Sequence, residues 1–316
     1  MYGGDLATLA MDGLVRYVRV PATSANLGPG FDCLGLALGL YLDLTVCEED
    51  GEGLEISVGG EGFGQVPLDE RNAVYRGIAQ AYSKAGRTPG RLRLEIHSEI
   101  PLASGLGSSS AALVAGLTVG AELCGLVPDP EQVLQEGIAV EGHPDNLAPC
   151  TMGGIVIAAM EDGRVSWARV DPPSDLSAVV AIPDFSLRTR KARSVLPTQV
   201  ERADAIYNMG RVGLIVAALK SRDYDLLRVG MQDRLHQVYR QSLVPGMEPV
   251  LKAAVEAGAL GAALSGAGPT LLALVHDGEE EVAKAMREVW IKEGVVAKTM
   301  ILTLEPDGVQ WGGTWR

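Results

Sequence analysis

The segment Pro101–Ser110, PLASGLGSSS, has the residue types that hold a phosphate group. Gly105 and Gly107 lack a Cβ and permit positive φ, so successive backbone N–H groups can converge on one anion. Ser108, Ser109 and Ser110 open an apolar, alanine-rich stretch. A helix starting there offers unpaired N–H groups and a partial positive charge, and the three hydroxyls can reach phosphate oxygens or Mg2+. The loop has no lysine and the chain has no G-x-x-x-x-G-K-[ST] pattern, so this is not the common P-loop. Read alone, the segment fits equally well a glycine-serine turn that only caps a helix.

Two further segments shift that balance. Pro21–Asp32, PATSANLGPGFD, reads as a loop after a strand, with two polar side chains able to point into a site, Asn26 and Asp32. Leu264–Thr270, LSGAGPT, reads as a tight glycine loop between two apolar strands. Small-residue loops near both ends of the chain and in its middle point to one composite site. Gly59–Gly64 is also glycine-rich, but no apolar helix follows and it reads as a turn. His97, His143, His236 and His276 show no H-E-x-x-H or related spacing, which argues against a zinc site.

Strands and helices must place these loops. Val15–Val20, Leu36–Cys47 and Leu54–Val58 read as strands. Leu92, Leu94 and Ile96 alternate with polar residues, which is a half-buried strand. Glu70–Ala85 reads as a helix, Ser108–Gly125 as a helix stopped by Gly125 and Pro128, and Asp129–Glu141 as another. Gly154–Met160 reads as a buried strand, and the polar stretch Glu161–Pro173 as a boundary. Beyond it lie a strand (Ala178–Ile182), helices over Gln199–Lys220, Leu226–Tyr239 and Glu248–Ala257, and a strand pair around Ser265–Pro269. A helix (Glu279–Glu293) and a strand (Ala297–Leu304) follow. Both halves mix the two element types, so the fold class is α+β.

The bulk numbers set limits. At 316 residues the chain suffices for one large domain or two ordinary ones. Its net charge of −13 opposes nucleic acid and anionic lipid, though a locally basic pocket can still take an anionic substrate. No apolar run approaches the ~18 residues of a membrane span. Met1–Arg16 lacks the basic start and apolar core of a secretion signal and reads as a short extension, or as a start ahead of Met11. Cys33, Cys47, Cys124 and Cys150 are scattered, so a reduced cytoplasm is expected rather than a disulfide framework.

In order and content, the three loops resemble the three motifs of the GHMP kinase superfamily, from about Val15 to Leu304. Its Pro-x-x-x-Gly-Leu-Gly-Ser-Ser motif is the specific one. Four segments are most similar to the homoserine kinases: Pro21–Asp32, Glu141–Pro149 (EGHPDNLAP), Thr189–Pro197 (TRKARSVLP) and Leu264–Thr270. The resemblance implies a two-domain fold, with an N-terminal nucleotide-loop domain over 12–160 and a C-terminal ferredoxin-like domain over 161–305. It implies transfer of the terminal phosphoryl group of ATP, with Mg2+, to the side-chain hydroxyl of L-homoserine, a step toward threonine. Two other readings stay open: another GHMP kinase acting on mevalonate or a sugar, and a non-catalytic relative that binds a metabolite. Such kinases are often homodimers, and these residues carry no independent sign of one.

The same resemblance assigns residues. Pro101, Leu102, Ala103, Ser104, Gly105, Leu106, Gly107, Ser108, Ser109, Ser110 and Ala111 would surround the nucleotide phosphates. Asn72 falls in the segment that contacts adenine, with helix capping as the alternative. Arg193, and Arg240 as a second cation, would take the substrate carboxylate through their planar forks. Asp32 would accept from the ammonium, and Asn26 and Asn146 would bond around the hydroxyl and amine. His143 either lines that pocket or caps its own loop. Ser109 and a glutamate would hold the metal. Eleven residues before Asn146, where many relatives place that glutamate, stand Gln135 and then Glu136; Glu141, five before, is preferred and Glu136 is the alternative. Asn146 stands where mevalonate kinases carry an aspartate. Asparagine takes no proton, so Asn146, Ser109 and Glu141 are expected to act by positioning and electrostatics. Asp145, its neighbour, is not assigned as a base.

Overall fold

The structure, a computed structural model, describes residues 14–312. The expected extension ahead of Met11 and the end of the tryptophan-containing tail lie outside them. β1 (Leu14–Ala25) pairs antiparallel with β2 (Leu34–Glu49), with an irregularity between Pro21 and Ala22. Proline has no N–H to give the ladder, which accounts for a break at that point. β3 (Leu54–Gly60) lies parallel to β4 (Arg91–Ser98). β2 is long enough to serve two more partners, pairing with β4 at its C-terminal half and with β5 (Ile155–Glu161) at its start. β6 (Arg164–Val170) closes a hairpin on β5 and completes all but the last strand of a seven-stranded sheet.

Two expectations change here. The first strand does not stop at Val20 but runs to Ala25, so Thr23 and Ser24 belong to the sheet rather than to a loop. The polar stretch read as a boundary is β6, whose Val165 and Trp167 pack on the first core while its charged residues face out. The chain leaves this sheet only after Val170.

α1 (Ala73–Lys84) starts three residues later than expected, because Asn72 caps it by accepting from the Val74 N–H. α2 (Ser108–Leu123) is buried on nearly every side from Ser110 to Gly120, as its apolar composition requires. α3 (Pro130–Glu141), capped by Asp129, and the short α4 (Leu147–Met152) flank it.

The second sheet comprises β7 (Ser177–Pro183), β8 (Gly261–Leu264), β9 (Leu271–Val275) and β10 (Ala297–Thr303), all antiparallel, in the order β10-β7-β9-β8. Between β7 and β8 run α5 (Thr189–Ser194), α6 (Arg202–Ser221), α7 (Leu227–Gly230), α8 (Gln237–Arg240) and α9 (Met247–Glu256); α10 (Glu279–Lys292) joins β9 to β10. With α9 and α10 as its two helices, this is a ferredoxin-like β-α-β-β-α-β order. Both faces of the sheet are buried. Ala178, Val180, Leu272 and Leu274 enter the first core, while Val179, Ala181, Leu271 and Ala273 enter a second core with α9 and α10.

The single helix expected over Leu226–Tyr239 is instead broken into α7 and α8. The Asp233 carboxylate accepts from the N–H groups of Leu235, His236 and Gln237 at 2.9, 2.9 and 2.7 Å, and so diverts them from a helical ladder. At the end of the chain, Leu304 bridges to Leu38 and β11 (Gln310–Trp311) pairs with β1, returning the chain to the first sheet. Among the described residues no helix is long and apolar enough to cross a membrane, and all four cysteines are free thiols.

Candidate active site

Backbone and hydroxyl bonds tie the three small-residue loops together. Thr23 N–H donates to Leu106 O at 3.1 Å, Gly266 N–H to Ala25 O at 3.0 Å, and Thr270 N–H to Ser104 O at 3.0 Å. Ser265 Oγ donates to Gly105 O at 2.7 Å and lies 2.8 Å from Ser24 Oγ. Such approach explains two glycines. A Cβ on Gly105 (φ +91°) would sit 2.3 Å from Ser265 O, and one on Gly107 (φ +73°) would sit 2.0 Å from Thr23 Oγ1. Gly107 precedes α2 and offers it no side-chain cap, so the serine end of that helix opens toward a cavity of about 430 Å³. Ala103, Ser104, Gly105, Gly107 and Ser108–Ser110 form one wall of this cavity, and Gly266–Gly268 lie beside them.

The facing wall comes from the second half of the chain and from the end of the first loop. Arg193, on α5, makes a bidentate pair with Asp32 at 3.0 and 2.6 Å. The residues expected to take opposite ends of one substrate therefore hold each other here, and the bond to Asp32 pushes the Arg193 pKa up. Arg240 is 1% exposed. It donates to Ala192 O at 3.2 Å, Gly266 O at 3.0 Å and His236 Nδ1 at 3.1 Å. Burial, and then the Arg193 charge, bring its pKa down to about 10, so it stays cationic at neutral pH. Asn26 is buried and spends its amide on the frame: Oδ1 accepts from Asp32 N–H at 3.0 Å and Nδ2 donates to Gly266 O at 2.9 Å.

Between the walls lie Glu141, His143, Asp145 and Asn146. Glu141 Oε2 accepts from Ser110 Oγ at 2.6 Å. Burial raises the pKa of this carboxyl, while the hydroxyls of Ser110 and Ser109 and the His143 charge oppose the shift. His143 Nδ1 lies 2.7 Å from Asp145 Oδ1, a bond that raises the pKa of the imidazole. Asp145 also accepts from the Asn146 N–H at 3.0 Å. Asn146 Oδ1 accepts a hydrogen bond from the Thr23 hydroxyl at 2.9 Å, which fixes the amide where it lines the cavity.

Other residues named from the sequence do not line the cavity. Leu106 and Ala111 are packed in the core, and Pro101 and Leu102 are not among the lining residues. Asn72 uses its amide to cap α1 and to bond Pro67 O at 2.8 Å. Glu136 pairs with Lys84 at 2.5 Å, on a different surface from the cavity. Gln135 bonds Gly163 O at 2.5 Å, also away from the cavity. Residues the sequence reading passed over include Thr23, Phe31, Leu187, Arg188 and Thr189. All but Thr23 line the cavity, and Thr23 touches Asn146 from behind. The signal for Thr23 was available: a polar pair, Thr23 and Ser24, ends an apolar strand and is fully buried.

Residues 72–154 match the family described as GHMP kinases N terminal domain, and residues 215–292 match GHMP kinases C terminal. Over 292 residues the chain is 44% identical to the homoserine kinase of Desulfitobacterium hafniense, covering 92% of this chain and 98% of that one. The chain belongs to the homoserine kinase family of GHMP kinases. It is also 47% identical over 294 residues to the homoserine kinase of Deinococcus radiodurans, covering 92% and 95%. Among solved structures it matches the homoserine kinase from Cytophaga hutchinsonii with a TM-score of 0.85 and 31% identity, over 94% of this chain and 97% of that one. The two-domain α+β architecture of the GHMP kinases is thereby established for this chain, and both rival readings of the sequence lose ground.

Proposed function

We propose that this protein phosphorylates the side-chain hydroxyl of L-homoserine, using ATP and Mg2+, to give O-phospho-L-homoserine and ADP. The observation that carries the proposal is one cavity with two unlike walls: a cap-free helix start in a glycine-serine loop, facing a buried arginine whose hydrogen bonds, among the described residues, go to neutral acceptors. The first wall suits the phosphates of a nucleotide. The second suits the carboxylate of a small amino acid.

In this reading Ser104–Ser110 bind the phosphates, and Arg240 with Arg193 bind the carboxylate. Asp32, released from part of its pairing with Arg193, accepts from the substrate ammonium. Glu141 lies against the hydroxyls of Ser110 and Ser109, a set of hard oxygen donors of the kind Mg2+ takes along with water. These residues would hold Mg2+, which supplies charge neutralisation to the phosphoryl oxygens. Asn146, fixed by Thr23, lies between the walls and orients the acceptor hydroxyl. Asp145 is engaged by His143 and Asn146. No strong base is required, because a loose phosphoryl-transfer transition state draws on alignment and electrostatics more than on prior proton removal.

The test is ADP release with homoserine, mevalonate and galactose as acceptors, and mass spectrometry of the product. Homoserine should turn over fastest and gain one phosphoryl group. Faster turnover of mevalonate or of the sugar overturns the assignment. ATP binding by calorimetry with no turnover of any acceptor points to a non-catalytic relative.

A further inference from the structure

Arg240 presents an electrostatic problem that its surroundings answer in an unusual way. Its guanidinium is almost wholly buried, yet among the described residues its hydrogen bonds go to two carbonyls and one imidazole, and none to a carboxylate. A buried charge normally finds an opposite one. The carboxylates of Asp32, Asp233 and Asp145 act on it without a direct hydrogen bond, so its contacts hold the cation in place and leave it open to pairing with an anion that enters the cavity.

The imidazole is His236, and its chemistry is fixed by its other nitrogen. Nε2 lies 2.7 Å from Gly28 O, and a carbonyl oxygen only accepts, so Nε2 carries the proton. Nδ1 is then a bare lone pair, 3.1 Å from Arg240 NH1. A flipped ring would set carbons against Gly28 O and Arg240 and lose both partners, so the two contacts fix its orientation. It is 0% exposed and stacks on Phe31 at 5.3 Å, and its backbone N–H is held by Asp233. The centroid of the Phe31 ring in turn lies 5.4 Å from the Arg240 guanidinium and 5.5 Å from that of Arg193, so one aromatic ring serves both cations.

We propose that His236 is a positioning residue for acceptor binding: its Nδ1 lone pair aims the Arg240 guanidinium at the carboxylate of the amino-acid substrate. This rests on the reading above in which Arg240 takes that carboxylate. Burial favours the neutral imidazole that the arrangement needs.

Two substitutions separate the roles of the two nitrogens. His236→Asn keeps an acceptor near the Nδ1 position and gives up the bond to Gly28. His236→Gln keeps a donor near the Nε2 position and gives up the acceptor for Arg240. The expected result is a KM for homoserine raised about tenfold or more by His236→Gln, and much less by His236→Asn, with kcat and the KM for ATP changed little by either. With 3-aminopropan-1-ol, the same acceptor without its carboxylate, the two variants should behave alike. Equal increases in homoserine KM for both variants, or none for a folded His236→Gln, overturn the proposal and leave a packing role.

Arg240→Ala distinguishes the two layers of the argument. If it leaves the homoserine KM unchanged, the carboxylate reading itself fails. If it raises KM while folded His236→Gln does not, only the role of His236 fails. Should the histidine variants not fold, 15N NMR of the wild-type protein still decides: a proton on Nδ1 of His236 overturns the proposal, and a proton on Nε2 alone supports it.

Discussion

The two walls of the cavity are built on different principles. The wall proposed for the phosphates is made mainly of backbone, with glycines where no Cβ fits and a helix start that no side chain caps. The opposite wall is made of side chains, Asp32, Arg193 and Arg240, brought from separate parts of the chain. A backbone site recognises what all nucleotides share, whereas a side-chain site can be changed residue by residue to suit one acceptor.

The sharpest way to break this contrast is Gly105→Ala. The added methyl would meet Ser265 O at 2.3 Å on a backbone with φ of +91°. Displacing the loop should lower kcat/KM about a hundredfold or more, read in the ADP-release assay. A variant with near-normal rates would show that the backbone wall is not tightly built. Next in size is Glu141→Gln, expected to cut activity by about a hundredfold at fixed Mg2+ through loss of charge at the metal position. Glu136→Gln should stay within about twofold, since its partner Lys84 is exposed. The reverse ranking would place the metal on the wrong glutamate.

Arg193→Lys probes the side-chain wall at its more exposed point. A lysine cannot reproduce the two-point contact, so the homoserine KM should rise by about tenfold with the ATP KM unchanged. An unchanged homoserine KM would show that the fork shape is not used.

His143→Gln has the smallest expected effect and a defined pH dependence. The bond to Asp145 raises the imidazole pKa above its ordinary value of about 6.5. The protonated form is therefore favoured by folding. Its contribution is complete below about pH 6.5 and fades as the pH rises through the higher folded-state value. The gap in thermal unfolding midpoint between wild type and variant should be larger at about pH 6 than at about pH 9. A gap that grows toward high pH would contradict the assignment.

Much of this was legible in the sequence, and for reasons that differ by wall. The Gly105–Ser110 loop could be read only together with the Pro21–Asp32 and Leu264–Thr270 loops, because glycine followed by serines at a helix start fits a simple cap equally well. Glu141 could be ranked but not separated from Glu136, since the decision depends on which face of α3 meets α2. Arg193 and Arg240 were named through the resemblance, while their environments were invisible: no spacing rule says that one is paired to Asp32 and the other held by His236. The α7–α8 break was missed because the Asp233 side chain, rather than a glycine or proline, diverts the helix N–H groups. β6 was missed because its inward Val165 and Trp167 are outnumbered by polar neighbours.

The return of the chain to the first sheet has a mechanical meaning. The second sheet is entered after Val170 and left after Thr303, and Leu304 is at once bridged to Leu38. It is thus an insertion held by two tethers rather than a terminal module on one. A body fixed at two points opens about the line joining them and resists swivelling. Here the Ser265–Thr270 loop of that sheet is also bonded to Ala25, Ser104 and Gly105, and one face of the sheet enters the first core, so the double attachment keeps the parts of the cavity drawn from both sheets in fixed register.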